Sequence, residues 1–149
     1  MTTVVVDDHL LRDVLSGERS ADLNGLAEHG IATTGLWLFR LCSSLAEPTV
    51  AGKLALPVVT LPSAIQQRFR AQLIALPAEI EVISLRELSW PMAELQHRHR
   101  AGGRPLSAAM VEALAAAHLL NAEIAVSSRD VGPHLRAAAA FDGIAFHIL

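Results

Sequence analysis

Thr2-Thr3-Val4-Val5-Val6-Asp7-Asp8-His9-Leu10-Leu11 opens the chain with a β-branched run that stops at two acids and passes straight into apolar residues at helical spacing. Valine and threonine are stiff at χ1 and pack well on a pleated surface, so Thr2 to Val6 reads as a short buried strand. His9 to Leu15 follows as a helix, with Leu10, Leu11, Val14 and Leu15 along one stripe.

The same alternation recurs downstream. Ser20 stands as N-cap to a helix from Ala21 to Ala27 that Gly30 closes, and Ile31 to Thr33 is a strand before a helix from Thr34 to Leu45. Pro57 and Pro62 bracket Val58-Val59-Thr60-Leu61, after which Ser63 to Leu76 is helical up to Pro77. Ile80 to Ser84 is a strand, and Leu85 to His99 is a helix with a break near Pro91. Beyond the Ala101-Gly102-Gly103 loop, Ser107 caps an Ala-rich helix from Ala108 to Leu120 that Asn121 stops. Ile124 to Val126 is a strand, Gly132 to Ala140 a helix, and Gly143 to Ile148 carries the last strand. Strands alternating with helices call for parallel pairing through crossovers. The expected fold is therefore α/β, a three-layer α/β/α sandwich with a mostly parallel sheet.

Composition bounds the function. The 149 residues fit a single domain over 1–149, and 52% hydrophobic content is enough to bury a core. With 4% aromatics, that core is mostly Ala, Leu, Val and Ile. No apolar run approaches the ~18 residues of a membrane span, and the acidic start lacks the basic flank of a signal peptide. Cys42 stands alone, which excludes an internal disulfide and suits a cytoplasmic protein. The net charge of −3 excludes nucleic-acid binding by bulk charge. Its distribution is uneven: residues 1–30 carry −4 and residues 84–104 carry +2. That pattern reads as an acidic cleft with a basic strip beside it.

Ligand sites in open parallel sheets lie beyond the carboxyl ends of the strands. Asp7 leaves the first strand there, Ser128 and Asp130 leave the Ile124 strand, and Glu112 rides the helix feeding that strand. Three carboxylates in one cleft repel one another without a cation, and hard oxygen donors suit Mg²⁺ or Mn²⁺. Each acid taken singly is equally an N-cap. No G-x-G-x-x-G, P-loop or G-x-S-x-G pattern is present.

The combined pattern is more specific. Val4-Val5-Val6-Asp7-Asp8-His9-Leu10-Leu11 resembles the first strand and turn of PIN domains. Glu112-Ala113-Leu114-Ala115-Ala116-Ala117, leading through Ile124-Ala125-Val126-Ser127-Ser128-Arg129-Asp130, is similar to the family's late acid, Ala-rich helix and hydroxyl-x-Asp. Leu135 to Ala139 and Gly143 to Phe146 resemble its last helix and strand, whereas Ala46 to Arg104 is unspecific. The resemblance implies a metal-dependent endoribonuclease of the toxin type. Asp7, Glu112 and Asp130 would hold Mg²⁺ or Mn²⁺, and Ser128 would orient water or a carboxylate. It also implies single-stranded RNA as substrate, a homodimer, and a small antitoxin protein covering the cleft. Arg98, Arg100 and Arg104 are the candidate phosphate contacts, or else a solvated helix end.

One departure stands out. The family carries Glu near the start of the helix after the second strand, where this chain reads Thr33-Thr34-Gly35-Leu36-Trp37-Leu38-Phe39-Arg40. Arg40 is placed to supply part of the missing metal's charge. The alternative reading is a catalytically silent PIN-like fold that serves as a protein-binding module. Asp8 is the nearby acid able to compensate, although in a continuing strand it would leave on the face opposite Asp7. His9 reads as a cap or surface residue, Trp37 as core rather than a base-stacking platform, and Cys42 as a small buried residue.

Overall fold

The computed structural model describes residues 3–47 and 52–149. Five strands form the sheet: β1 (Val4–Val6), β2 (Ile31–Thr33), β3 (Ile80–Val82), β4 (Glu123–Val126) and β5 (Phe146–Ile148). They lie in the order β3-β2-β1-β4-β5, and every pair is parallel. The helices are α1 (Asp8–Ser16), α2 (Ala21–Leu26), α3 (Gly35–Ala46), α4 (Leu56–Val59), α5 (Ser63–Ile74), α6 (Leu85–Ala101), α7 (Ala108–Leu120) and α8 (Pro133–Phe141). Thr2, the first residue of the expected β1, lies outside the described residues.

The alternation of side chains along β1 builds the layers. Val5 points to one face with Ala32, Ile124 and Val126, where Leu88, Leu114 and Leu135 of α6, α7 and α8 cover them. Val4 and Val6 point to the other face with Ile31 and Ile80, covered by Leu11, Leu41 and Phe69 of α1, α3 and α5. Each fully buried Val or Leu contributes about 1.5–3 kcal/mol, so both faces must be covered for so short a sheet to persist. Order reverses at β1, because β2 and β3 run off one side and β4 and β5 off the other. That is where a doubly wound sheet opens its crevice.

Local chemistry sets the helix ends. Ser20, Thr34 and Ser107 each accept an amide from the first turn of the helix they precede. Asn121 ends α7 at φ 50°, and Gly17 ends α1 at φ 80°. In α7, Val111 to Ala117 are all buried, since alanine lets the helix lie close to its neighbours on every side. One expectation is corrected. The helix at Leu85 continues through Pro91 as one element, because Leu88, Leu95 and His99 anchor its inner face while Glu87, whose carbonyl Pro91 cannot bond, faces water. Val58 and Val59, for which the sequence assigns no element, end α4, a short helical turn with Pro57 in its first turn, where the missing N–H costs nothing. Among the described residues, no helix is long and apolar enough to cross a membrane.

Candidate metal centre

Asp7 ends β1 and caps α1. Its Oδ1 accepts the Leu10 amide at 2.9 Å, and its Oδ2 accepts the Ser127 amide at 2.9 Å. One carboxyl group therefore fixes the start of α1 and ties the ends of β1 and β4 together. Burial disfavours its charge and pushes its pKa up to about 7, against the pull of those two amides.

The chain turns helical at Asp8, so successive side chains rotate by about 100° instead of alternating between faces. That rotation brings Asp8 and His9 to the exit of β4. Ligand atoms of Asp8, His9 and Asp130 lie within 4.8 Å of one another. Asp8 is 1% exposed, and its Oδ1 accepts the His9 amide at 2.9 Å. Its Oδ2 is buried without a hydrogen bond from any described residue and has Arg40 Nε at 3.3 Å. Arg40 also donates from Nη2 to Asp130 Oδ2 at 3.2 Å, so one guanidinium joins the two acids. Burial raises the Asp8 pKa, opposed mainly by the Arg40 charge. Burial also lowers the His9 pKa, which favours a neutral imidazole, the form that binds metals. Arg12 Nη1 stands 3.4 Å from His9 Nδ1.

The other expected site residues sit differently. Glu112 is buried in α7, and its Oε1 accepts the Leu36 amide at 2.8 Å, at the N-terminus of α3. A Cβ on Gly35 would lie 3.9 Å from both Glu112 carboxylate oxygens, so this side chain occupies the helix start that lacks an acid of its own. Asp7 and Glu112 are thus both engaged by backbone amides, and the cluster with ligand spacing is Asp8, His9 and Asp130. Ser128 is exposed and lines a neighbouring cavity of about 390 Å³ with Arg12, Asp13, Ser127 and Arg129.

No protein-family model matches this chain, and no curated protein matches it in sequence.

Asp8 and His9 were legible as polar residues after β1, but their convergence with Asp130 depends on where helix geometry begins. His9 is buried, not a surface residue, with Arg12, one turn further along α1, beside its ring. Trp37 is buried among core residues, as expected, whereas Phe39 is 65% exposed. Cys42 is half-buried, and burial raises its thiol pKa.

The basic strip is not beside the cleft. Arg98 and Arg100 close α6, His118 lies in the last turn of α7 before β4, and Asp142 follows α8 before β5. These are the positions from which strands start, so the cluster occupies the edge opposite the acidic centre. Two of its three arginines are also engaged. Arg98 Nη2 donates to Asp142 Oδ1 at 2.7 Å, and Arg104 Nε donates to His99 Nδ1 at 2.9 Å while its guanidinium stacks 4.0 Å from the Phe141 ring centroid. His99 and His118 meet Asp142 Oδ2 at 3.1 and 2.7 Å. Arg100 is exposed. Adjacency in sequence placed this strip near the active edge; the direction of α6 moves it away.

Proposed function

We propose that the chain is a divalent-cation-dependent endoribonuclease of the PIN type, acting on single-stranded RNA in the cytoplasm. The observation that carries this reading is the convergence of Asp8, His9 and Asp130 around a buried carboxylate oxygen that takes no hydrogen bond from any described residue. The parallel sheet supports it by placing that cluster at the carboxyl edge, beside the strand where the order reverses. The donor set fits a divalent cation. Asp8 and Asp130 supply hard oxygens and His9 a neutral nitrogen, a mixture that suits Mn²⁺ at least as well as Mg²⁺.

When bound, such a cation supplies Lewis acidity for phosphoryl chemistry. Asp8, His9 and Asp130 would hold it. Asp7 and Ser127 keep α1 and the exit of β4 in register, which fixes the spacing of those three side chains. The phosphate-positioning role expected of Arg98, Arg100 and Arg104 passes to Arg129, which is 58% exposed and next to Asp130. Ser128 lines the adjoining cavity and would meet the nucleotide beside the scissile phosphate. A homodimer, and a small antitoxin protein whose tail covers the acidic edge, belong to the same reading.

A second reading has its own support. Arg40 already supplies a counter-charge shared by Asp8 and Asp130, which suits a catalytically silent interaction module that holds no cation. Cleavage of a labelled single-stranded RNA with Mn²⁺ decides between them. Turnover in the wild type that Asp130→Asn abolishes establishes the nuclease, whereas equal background in both proteins supports the silent module.

A further inference from the structure

Arg40 is the residue that neither the acids' spacing nor the helix caps account for. It leaves α3 half-exposed and reaches Asp8 Oδ2 at 3.3 Å and Asp130 Oδ2 at 3.2 Å. These are two of the three side chains that converge as ligands. The pair is unequal. Asp8 is buried and that oxygen takes no hydrogen bond from any described residue, whereas Asp130 is half-exposed. A buried carboxylate with one counter-ion is held far more tightly than a surface one, because removing its partner leaves an uncompensated charge.

We propose that Arg40 is a built-in competitor for the cation. The centre has two mutually exclusive states, one in which the guanidinium bridges Asp8 and Asp130, and one in which a divalent cation takes both carboxylates and Arg40 turns out to solvent. This rests on the cation-site reading above and specifies how that site is regulated. Occupancy by both at once places the cation against a guanidinium at contact distance beside the buried Asp8 carboxylate, which like-charge repulsion disfavours. The exchange needs no movement of the fold. Arg40 is exposed enough to swing away on its long stem, and a phosphate approaching the cleft is a bidentate partner for the released guanidinium. A phosphate-bearing substrate would thus favour loading of the cation.

The test is a Mn²⁺ titration of the intact protein followed by melting temperature, comparing wild type, Arg40→Gln, Arg40→Lys and Asp130→Asn. Competition predicts a half-saturating Mn²⁺ concentration about 10- to 100-fold lower in Arg40→Gln than in wild type, the span of one charge-assisted pair. Arg40→Lys, which keeps the charge without the fork, falls between them. It also serves as the comparison if Arg40→Gln folds poorly without metal. Equal midpoints in wild type and the Arg40 variants, with the response lost in Asp130→Asn, overturn the competition and leave the cation site standing. No response to millimolar Mn²⁺ in any of the Arg40 variants overturns both.

Discussion

Glu112 Oε1 accepts the backbone amide of Leu36 at 2.8 Å, joining the second turn of α7 to the first turn of α3 across 76 residues. The N-terminus of α3 carries no acid of its own, and a carboxylate delivered from a neighbouring helix takes that place. The longer Glu side chain is what spans the gap; an aspartate there would fall short by a methylene. Glu112→Gln keeps the acceptor oxygen and is expected to cost less than about 1 kcal/mol, whereas Glu112→Ala orphans a partly buried amide and costs about 2–4 kcal/mol. Urea denaturation measures both. The Mn²⁺ response of Glu112→Gln adds a second readout. An unchanged midpoint assigns the residue to α3, and a weakened one makes it a ligand.

Asp7 does comparable work between strands. It satisfies two amides, Leu10 and Ser127, that start α1 and leave β4. Asp7→Ala leaves both without partners in a buried setting, an expected loss of about 2–4 kcal/mol. Asp7→Asn keeps one acceptor and removes the buried charge, so it should lose less. A loss of equal size in the two variants would mean that charge, not amide capping, is what Asp7 provides.

Most of the fold was legible in the sequence for local reasons. Val4-Val5-Val6, Ile31 to Thr33 and Ile124 to Val126 are strands because β-branched residues end at acids or hydroxyls that can cap a helix, and Thr34, Ser107 and Asn121 cap as their chemistry dictates. Pro91 misled, since a proline's cost depends on whether the orphaned carbonyl faces water, which only packing decides. The site was half legible. Asp130 follows from a strand end, but the order reversal at β1 needs the strand pairing, and Asp8 swings toward Asp130 because helix geometry begins at that residue and ends the strand alternation. The basic cluster at Arg98 to Arg104 was placed at the wrong edge, because charge in sequence says nothing about which end of a crossover it occupies. Arg40 is readable from its charge and its place after β2 as a residue near the metal position, whereas its bridge to both Asp8 and Asp130 emerges only in the structure.

Asp130 separates stability from cation binding. Its contact with Arg40 joins two side chains that are each about half-exposed, and such pairs contribute at most about 1 kcal/mol. Asp130→Asn is therefore expected to melt close to wild type without metal, and to show no upward shift when Mn²⁺ is added. A large loss of stability in metal-free buffer would make Asp130 a structural residue and remove it from the cation set.

The opposite edge has a pH signature of its own. Arg98, His99 and His118 all face Asp142, and Arg104 holds His99 from its other nitrogen. Burial works against ionising Asp142, yet the bonds from His118 and His99 and the Arg98 charge together hold its carboxyl below the usual value. A depressed folded pKa means the unfolded chain binds the proton more readily. The stabilisation is therefore complete above the unfolded value of 3.8 and is lost as pH falls through the folded value. Asp142→Ala also strands the buried His99, whose Nδ1 already accepts from Arg104 and whose Nε2 must donate. The expected loss is about 2–4 kcal/mol near neutral pH. Denaturant titrations from about pH 7 to about pH 3 should show the gap between wild type and Asp142→Ala narrowing at the acid end. A gap of the same size throughout would mean that packing around His99 and Phe141, not the carboxylate, is what Asp142 maintains.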